Sequence, residues 1–304
     1  MNGSGPKQVV WKRKIWLLLL IVSISAALFF IYDTFRFKQQ VKALTPEHQK
    51  VLIIGHAGRA FFSPLNPFNP LPPNSLTSLL KALREDGAEG LEVDVHVSRD
   101  GVPILYHDET LNTMSEGEGR IEDLPAKAVL GVAYKGGWPY DFFHQEKIIS
   151  LEDLLRELQK FPEFPYLHLD LRSYTPTRNT YFAHCVLNLL QKYEYPIEKL
   201  TIVYPKPELL DAFRVAEPRA KLLLDMGNNF EASLKTVLAN RLHGLVAEGK
   251  RINAAQIKLA RLYHLQVVLF GGKARSSIYK MVLLQPDAIE VNNVKALRAI
   301  VRNR

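Results

Sequence analysis

Cysteine is almost missing from this chain. Its 304 residues include one, Cys185, so no internal disulfide can form, and no Cys/His cluster of zinc-binding type is present. The apolar, helix-like surroundings of Cys185 suit a packed thiol rather than a nucleophile. Dense basic tracts and interleaved basic and aromatic residues are also missing. The net charge of +8 is spread along the chain, which argues against nucleic acid as partner and suits a phosphate ester or an acidic membrane surface. There is no internal repeat and no low-complexity segment. Long apolar runs are absent as well, with one exception near the N-terminus.

That exception runs without a charge from Ile15 to Tyr32, close to the ~20 residues that cross a bilayer as a helix. Trp16 and Tyr32 stand at its ends, where interfacial aromatics belong. It is apolar on every face, unlike a helix packed on a soluble core. No small-residue cleavage site follows it, unlike a signal peptide. A single-span anchor is expected. Lys12, Arg13 and Lys14 place the N-terminus on the cytoplasmic side and the rest of the protein on the other, with Arg36, Lys38 and Lys42 pulling the opposite way. The chain therefore divides into a basic tail (1–14), a transmembrane helix (15–32), a polar tether (33–49) and a folded domain (50–304).

The folded domain has the ~250 residues usual for a (β/α)8 barrel. Short β-rich runs recur through it: VLIIG, LEVDVHV, YLHLDL, LTIVY, KLLLD, HGLVA, QVVLF and DAIEV. Helix-like stretches separate them, two with visible starts. Asn74 or Ser75 opens one that ends at Gly87, and Ser150 with Asp153 forms a capping-box pattern for another. This alternation predicts a parallel α/β fold, a TIM barrel of eight strands. The segment VPILYH is excluded from the eight. The SRDG before it is too short for a parallel crossover, so residues 91–107 should form a hairpin turning at Asp100-Gly101, which brings His107 back beside Asp94.

Glu92 and Asp94 share one face of their strand, and Leu91, Val93, Val95 and Val97 share the other. With the apolar face against helices, two carboxylates point into the barrel, where they repel unless a cation or proton compensates. Oxygen ligands without thiolates favour one hard divalent cation, Mg²⁺ or Ca²⁺. Asp170, on a shared face with His168 and Arg172, is a candidate third ligand. His56 and His107 each end an apolar run, where barrel enzymes keep their chemistry. Two imidazoles beside a metal suit cleavage of a phosphate ester, one taking a proton from the nucleophile and the other protonating the leaving oxygen. His168 is expected inside the barrel, and His96 in support of the site or exposed on the hairpin.

These residues resemble the glycerophosphodiester phosphodiesterase family of the phosphatidylinositol-specific phospholipase C-like barrels. The resemblance is carried by His56-Ala57-Gly58, Pro73-Asn74-Ser75, Glu92-Val93-Asp94-Val95 with Ser98 and Asp100-Gly101, His107-Asp108, the IISLEDLL segment and LDLR with Asp170 and Arg172. It is specific from Val51 to about Arg172 and only a pattern beyond. It implies a TIM barrel that cleaves glycerophosphodiesters to glycerol 3-phosphate and an alcohol, with His56 and His107 as acid and base and with Glu92, Asp94 and Asp170 holding Mg²⁺ or Ca²⁺. Lysophospholipids, giving lysophosphatidate, are a further substrate class considered. The family's arginine after the first histidine is Ala57 here and the glutamate before Asn74 is Pro73, so Arg59 or Arg172 is expected to contact phosphate. The proline-rich insertion Ala60 to Pro73 follows His56 and should line the mouth. Two other outcomes remain open on sequence: attack by an internal hydroxyl to give a cyclic phosphate, and a non-catalytic anchored binding domain.

Overall fold

A computed structural model describes residues 6–44, 51–59, 71–136 and 140–302. Most of the Ala60–Pro73 insertion, residues 60–70, lies outside these. Eight parallel strands close into a barrel: β1 (Leu52–His56), β2 (Gly90–Val97), β5 (Tyr166–Leu171), β6 (Leu200–Tyr204), β7 (Lys221–Asp225), β8 (Gly244–Glu248), β9 (Gln266–Gly271) and β10 (Ala288–Val291). Each lies on one of the eight runs read from sequence. β1 pairs with both β10 and β2, which closes the cylinder.

The side-chain period of two divides every strand. Leu91, Val93 and Val95 are buried outward with the helix-facing core. Ile54, Val203, Leu223, Val246, Val268 and Ala288 fill the barrel interior, leaving the polar residues to the C-terminal rim. The wall is tight at Gly90, where an added Cβ would meet the Tyr166 carbonyl at 2.5 Å.

Two short strands, β3 (Pro103–Leu105) and β4 (Ile149–Ser150), extend the sheet antiparallel at β2. The hairpin turns as expected. Gly101 has φ +91°, and Val95 faces Leu105. Between β3 and β4, residues 106–148 form an insertion with its own apolar cluster around Tyr106, Leu111, Ile121 and Ile148.

The outer helices follow their strands: α3 (Leu151–Leu158), α4 (Asn179–Lys192), α5 (Pro207–Ala216), α6 (Phe230–Ala239), α7 (Ala254–Leu262), α8 (Arg275–Leu283) and α9 (Val294–Val301). Cys185 sits half-buried on α4. After β1 comes α2 (Leu76–Lys81), which passes into one π-helical turn and stops at Gly87 with φ +78°. Its expected caps do not cap. The Ser75 hydroxyl donates to the Pro72 carbonyl, and Asn74 is drawn into the barrel mouth.

The N-terminal helix α1 (Pro6–Lys42) is longer than the apolar run it contains. Every side chain from Ile15 to Tyr32 is exposed. Residues 33–42, expected as a polar tether, continue the helix because Phe37 and Val41, one turn apart, are buried in the same core as α8. Lys280 of α8 lies over the Phe37 ring at 5.5 Å.

The capping box of α3 is fully formed, with Ser150 Oγ accepting from Asp153 N at 3.1 Å and Asp153 Oδ2 accepting from Ser150 N at 3.0 Å. Ser150→Ala should cost about 1 kcal/mol of stability, read from the denaturation midpoint. An unchanged midpoint would show that the box does not hold the helix.

Candidate active site

The carboxylates sit where strand register puts them. Glu92 pairs in register with His56 on one side and His168 on the other, and Asp94 with Asp170. Glu92 and Asp94 are buried and Asp170 is half-buried. Their ligand atoms lie within 4.8 Å of one another. Glu92 and Asp94 are shielded from water there, and Asp170 partly so. Burial, then the charges of Asp94, Glu290 and Asp170, push the Glu92 carboxyl well above its ordinary value. Burial does the same to Asp170 against the opposing pull of Arg172, with Asp94, Asp225 and Glu290 adding to the rise. Burial works to raise Asp94 too, but Arg172, His107 and the Asn74 amide outweigh it and hold that carboxyl low.

Arg172 is the compensating cation. Its Nε donates to Asp94 Oδ1 at 2.8 Å and its Nη2 donates to Asp170 Oδ2 at 2.7 Å and to Asp94. Asn74 holds Asp94 from the other side, donating from Nδ2 to Oδ2 at 2.7 Å and accepting from the Asp94 backbone N–H at 3.1 Å. Asn74 has φ +61°, a conformation asparagine tolerates. Ala57 is left-handed as well, at φ +47°, which is strain of the kind that collects at functional sites. In return its N–H reaches Glu92 Oε2 at 2.8 Å.

Both histidines face this cluster. His56 Nδ1 lies 2.7 Å from Asn292 Oδ1, an acceptor, so Nδ1 carries the proton and Nε2 is the basic nitrogen. That Nε2 is 3.8 Å from Glu92 Oε2. The His56 ring also packs on Phe270. His107 is returned by the hairpin, Tyr106 N bonding the Asp94 carbonyl, and its Nδ1 is 2.7 Å from Asp108 Oδ1. His56, Glu92, His107, Asp170 and Arg172 together line a cavity of about 240 Å³ whose wall is completed by Val203, Asp225, Val246, Phe270 and Glu290.

Of the two arginines expected at phosphate, Arg172 lines the cavity. Arg59 does not belong to that lining. Asp86, at 2.8 and 2.7 Å, and Glu85, at 2.7 Å, hold its guanidinium at the π-helical turn after α2, because a fork of donors beside two carboxylates pairs with both. His168 is inside the barrel as expected, its Nδ1 donating to Glu290 Oε1 at 2.6 Å. His96 is fully buried rather than exposed. Burial drives its pKa down to about 3, so a neutral ring stacks on Tyr174 at 6.1 Å.

Sequence reasoning missed Asn292, Glu290 and Asp225. Asp225 could have been found as a carboxylate ending a β-rich run. Glu290 carried the same signal, a carboxylate within the DAIEV run, but its partner and that of Asn292 stand 122 and 236 residues away and could not be read from spacing.

The carboxylates fit a hard divalent cation. They are oxygen donors only, converge within a metal's reach, and two of them bear a proton-affinity penalty that a second positive charge beside Arg172 would relieve.

A closed (β/α)8 barrel with histidines and carboxylates gathered at the strand C-termini defines the class of protein. Within that class the chain belongs to the glycerophosphoryl diester phosphodiesterase family, whose profile matches residues 68–296. The match therefore runs well past Arg172, where the sequence motifs thin out. The human glycerophosphodiester phosphodiesterase 1 is 28% identical over 141 residues, covering 44% of this chain and 39% of the relative. The Rattus norvegicus protein of that name is 31% identical over 101 residues, covering 33% and 28%. The aligned stretch thus spans well under half the length of these relatives. Among solved structures, an Oleispira antarctica phosphodiesterase in complex with the product sn-glycerol-3-phosphate has a TM-score of 0.72 at 18% identity, covering 85% of this chain and 99% of that one. The Agrobacterium tumefaciens glycerophosphodiester phosphodiesterase gives 0.66 at 18%, covering 82% and 99%. At such identity these two establish the fold.

Removing Glu290 would leave the His168 imidazole buried without its acceptor. Glu290→Ala should lose about 2–3 kcal/mol in urea denaturation. A loss no larger than that of a surface control would show the pair to be dispensable.

Proposed function

We propose that this protein is a membrane-anchored, metal-dependent phosphodiesterase that hydrolyses glycerophosphodiesters to glycerol 3-phosphate and an alcohol. Lysophospholipids, giving lysophosphatidate, are a second substrate class for the same chemistry. The observation that carries the reading is one cavity in which His56 and His107 stand with Glu92 and Asp170, the buried Asp94 lying within 4.8 Å of those two carboxylates. Family membership supports it.

In this reading Glu92, Asp94 and Asp170 hold one divalent cation, Mg²⁺ or Ca²⁺, which when bound supplies counter-charge and polarises phosphoryl oxygens. Arg172 adds a fixed positive charge at the same rim and stabilises the negative charge that grows on phosphorus-bound oxygen. One histidine takes a proton from the attacking water as its oxygen bonds phosphorus, and the other protonates the departing alkoxide as its bond to phosphorus breaks. Asn292 and Asp108 hold the two Nδ1 atoms and so fix which nitrogen of each ring exchanges protons. The apolar cavity wall of Val203, Val246 and Phe270 limits bulk water, which strengthens each charge interaction inside.

The anchor is α1. Its stretch from Lys14 is long and apolar enough to cross a membrane, and the Ser23 hydroxyl donates to the Leu19 carbonyl at 2.8 Å, which satisfies a hydroxyl that lipid cannot. The basic residues before Ile15 favour a barrel on the non-cytoplasmic side.

His56→Ala and His107→Ala should each lower kcat on glycerophosphodiesters at least ~100-fold with the melting temperature retained. Full turnover in either variant would sink the mechanism. EDTA should abolish release of glycerol 3-phosphate, and Mg²⁺ or Ca²⁺ should raise the melting temperature of the wild type but not of Glu92→Gln. An equal shift in that variant would place the ion elsewhere.

A further inference from the structure

Arg172 holds the oxygens that a metal ion would need. Its Nε and Nη2 both donate to Asp94 Oδ1, and Nη2 donates to Asp170 Oδ2 at 2.7 Å. From the other side Asn74 Nδ2 donates to Asp94 Oδ2 at 2.7 Å. A carboxylate has about four acceptor sites, and on Asp94 three of them are filled. We infer that Arg172 is a tethered competitor for the divalent cation, and that its guanidinium trades the carboxylates for an incoming phosphate, so that cation and phosphate bind as a linked pair. The inference rests on the phosphodiesterase reading above.

Competition follows from charge. A guanidinium keeps its proton throughout the range in which proteins work. This one touches two of the three carboxylates whose ligand atoms converge within 4.8 Å. A second cation placed among them meets it at short range, with little water between to weaken the repulsion. Among the described bonds, Glu92 alone of the three stands outside the grip of Arg172, its Oε2 accepting from Ala57 N instead.

Phosphate resolves the competition. Bonds from arginine to carboxylate are charge-assisted and strong, so the guanidinium gives them up at a loss unless another anion accepts them. Phosphate oxygens match its planar fork as well as a carboxylate does. With the cation alone, two positive charges contend for the same oxygens. With phosphate alone, the fork is engaged elsewhere. With both, each charge meets an opposite one. Linkage then requires each ligand to tighten the other by the same factor.

The surroundings let this side chain turn while its neighbours stay. Arg172 N donates to the Val95 carbonyl at 2.8 Å, and the Tyr204 hydroxyl donates to the Ser173 carbonyl at 2.6 Å. The backbone on both sides is therefore fixed, and only side-chain torsions need change. Asn74 also accepts from Asp94 N at 3.1 Å, so Asp94 does not follow the guanidinium when it leaves. Nη1 takes part in none of the described bonds. The side chain borders both the central cavity and a groove of about 530 Å³ over the ends of β5, β6 and β7, walled in part by Tyr174, which gives it space to move into.

Titration calorimetry on the full-length protein in detergent tests this, with Mg²⁺ and Ca²⁺ each added with and without saturating glycerol 3-phosphate. In the wild type the phosphate should lower the Kd for the ion at least ~10-fold. Arg172→Met should bind the ion at least ~10-fold more tightly than the wild type when no phosphate is present, and glycerol 3-phosphate should then add little. Arg172→Gln, which keeps donors for Asp94 without the charge, should do the same and decides the matter if the methionine variant does not fold. An ion affinity that ignores glycerol 3-phosphate in the wild type, or that is no tighter in the variants, would overturn the competition while leaving the phosphodiesterase reading intact. A coupling that persists undiminished in the variants would assign it to direct contact between ion and phosphate, and would overturn the role of Arg172. A wild type that binds neither ion would overturn the metal-dependent reading, and this inference with it.

Discussion

Mutual repulsion of three carboxylates at the barrel mouth is the constraint around which the rest is arranged. Glu92, Asp94 and Asp170 converge where water screens the first two hardly at all and the third only in part, and a buried charge without a partner is expensive. Arg172 bridges two of them. Asn74 leaves its capping role to hold Asp94, and Ala57 takes a left-handed conformation so that its N–H can reach Glu92. These adjustments relieve part of the repulsion. Burial and neighbouring charge still push the Glu92 and Asp170 carboxyls well above their ordinary values, so the site keeps an electrostatic demand that a divalent cation is well suited to meet.

The barrel makes this arrangement rigid. Parallel register sets Glu92 level with His56 and Asp94 level with Asp170, so the positions follow from backbone hydrogen bonds rather than from flexible loops. The antiparallel hairpin adds what a pure β/α repeat would not: it folds the chain back within one strand width and delivers His107 to the rim. The insertion that follows has its own core and, through Glu122, braces the loop that carries Tyr174. One segment thus supplies a candidate catalytic histidine and steadies the wall of the neighbouring groove.

At the other end of the chain, α1 runs without a break from an exposed apolar part to turns packed on the barrel. Its first part exposes apolar residues on all sides, and its last turns bury Phe37 and Val41 in the barrel's own core.

Much of this was legible in the sequence. The eight β-rich runs, the hairpin at Asp100-Gly101, the Ser150 capping box and the alternation of Glu92 and Asp94 with valines are local patterns, and local backbone physics writes them directly. So is the apolar run from Ile15 to Tyr32. What sequence could not settle were pairings across long separations. Arg59 and Arg172 were equivalent candidates in sequence, and only the fold sets Arg59 beside Asp86 and Arg172 in the cavity lining. Asn292 meets His56, Glu290 meets His168 and Glu122 meets Tyr174 only because the barrel closes and the insertion packs on it. The sequence determined which residue types stand at the strand ends. Only the tertiary structure decided which of them touch, because closure of the cylinder, not spacing along the chain, sets those distances.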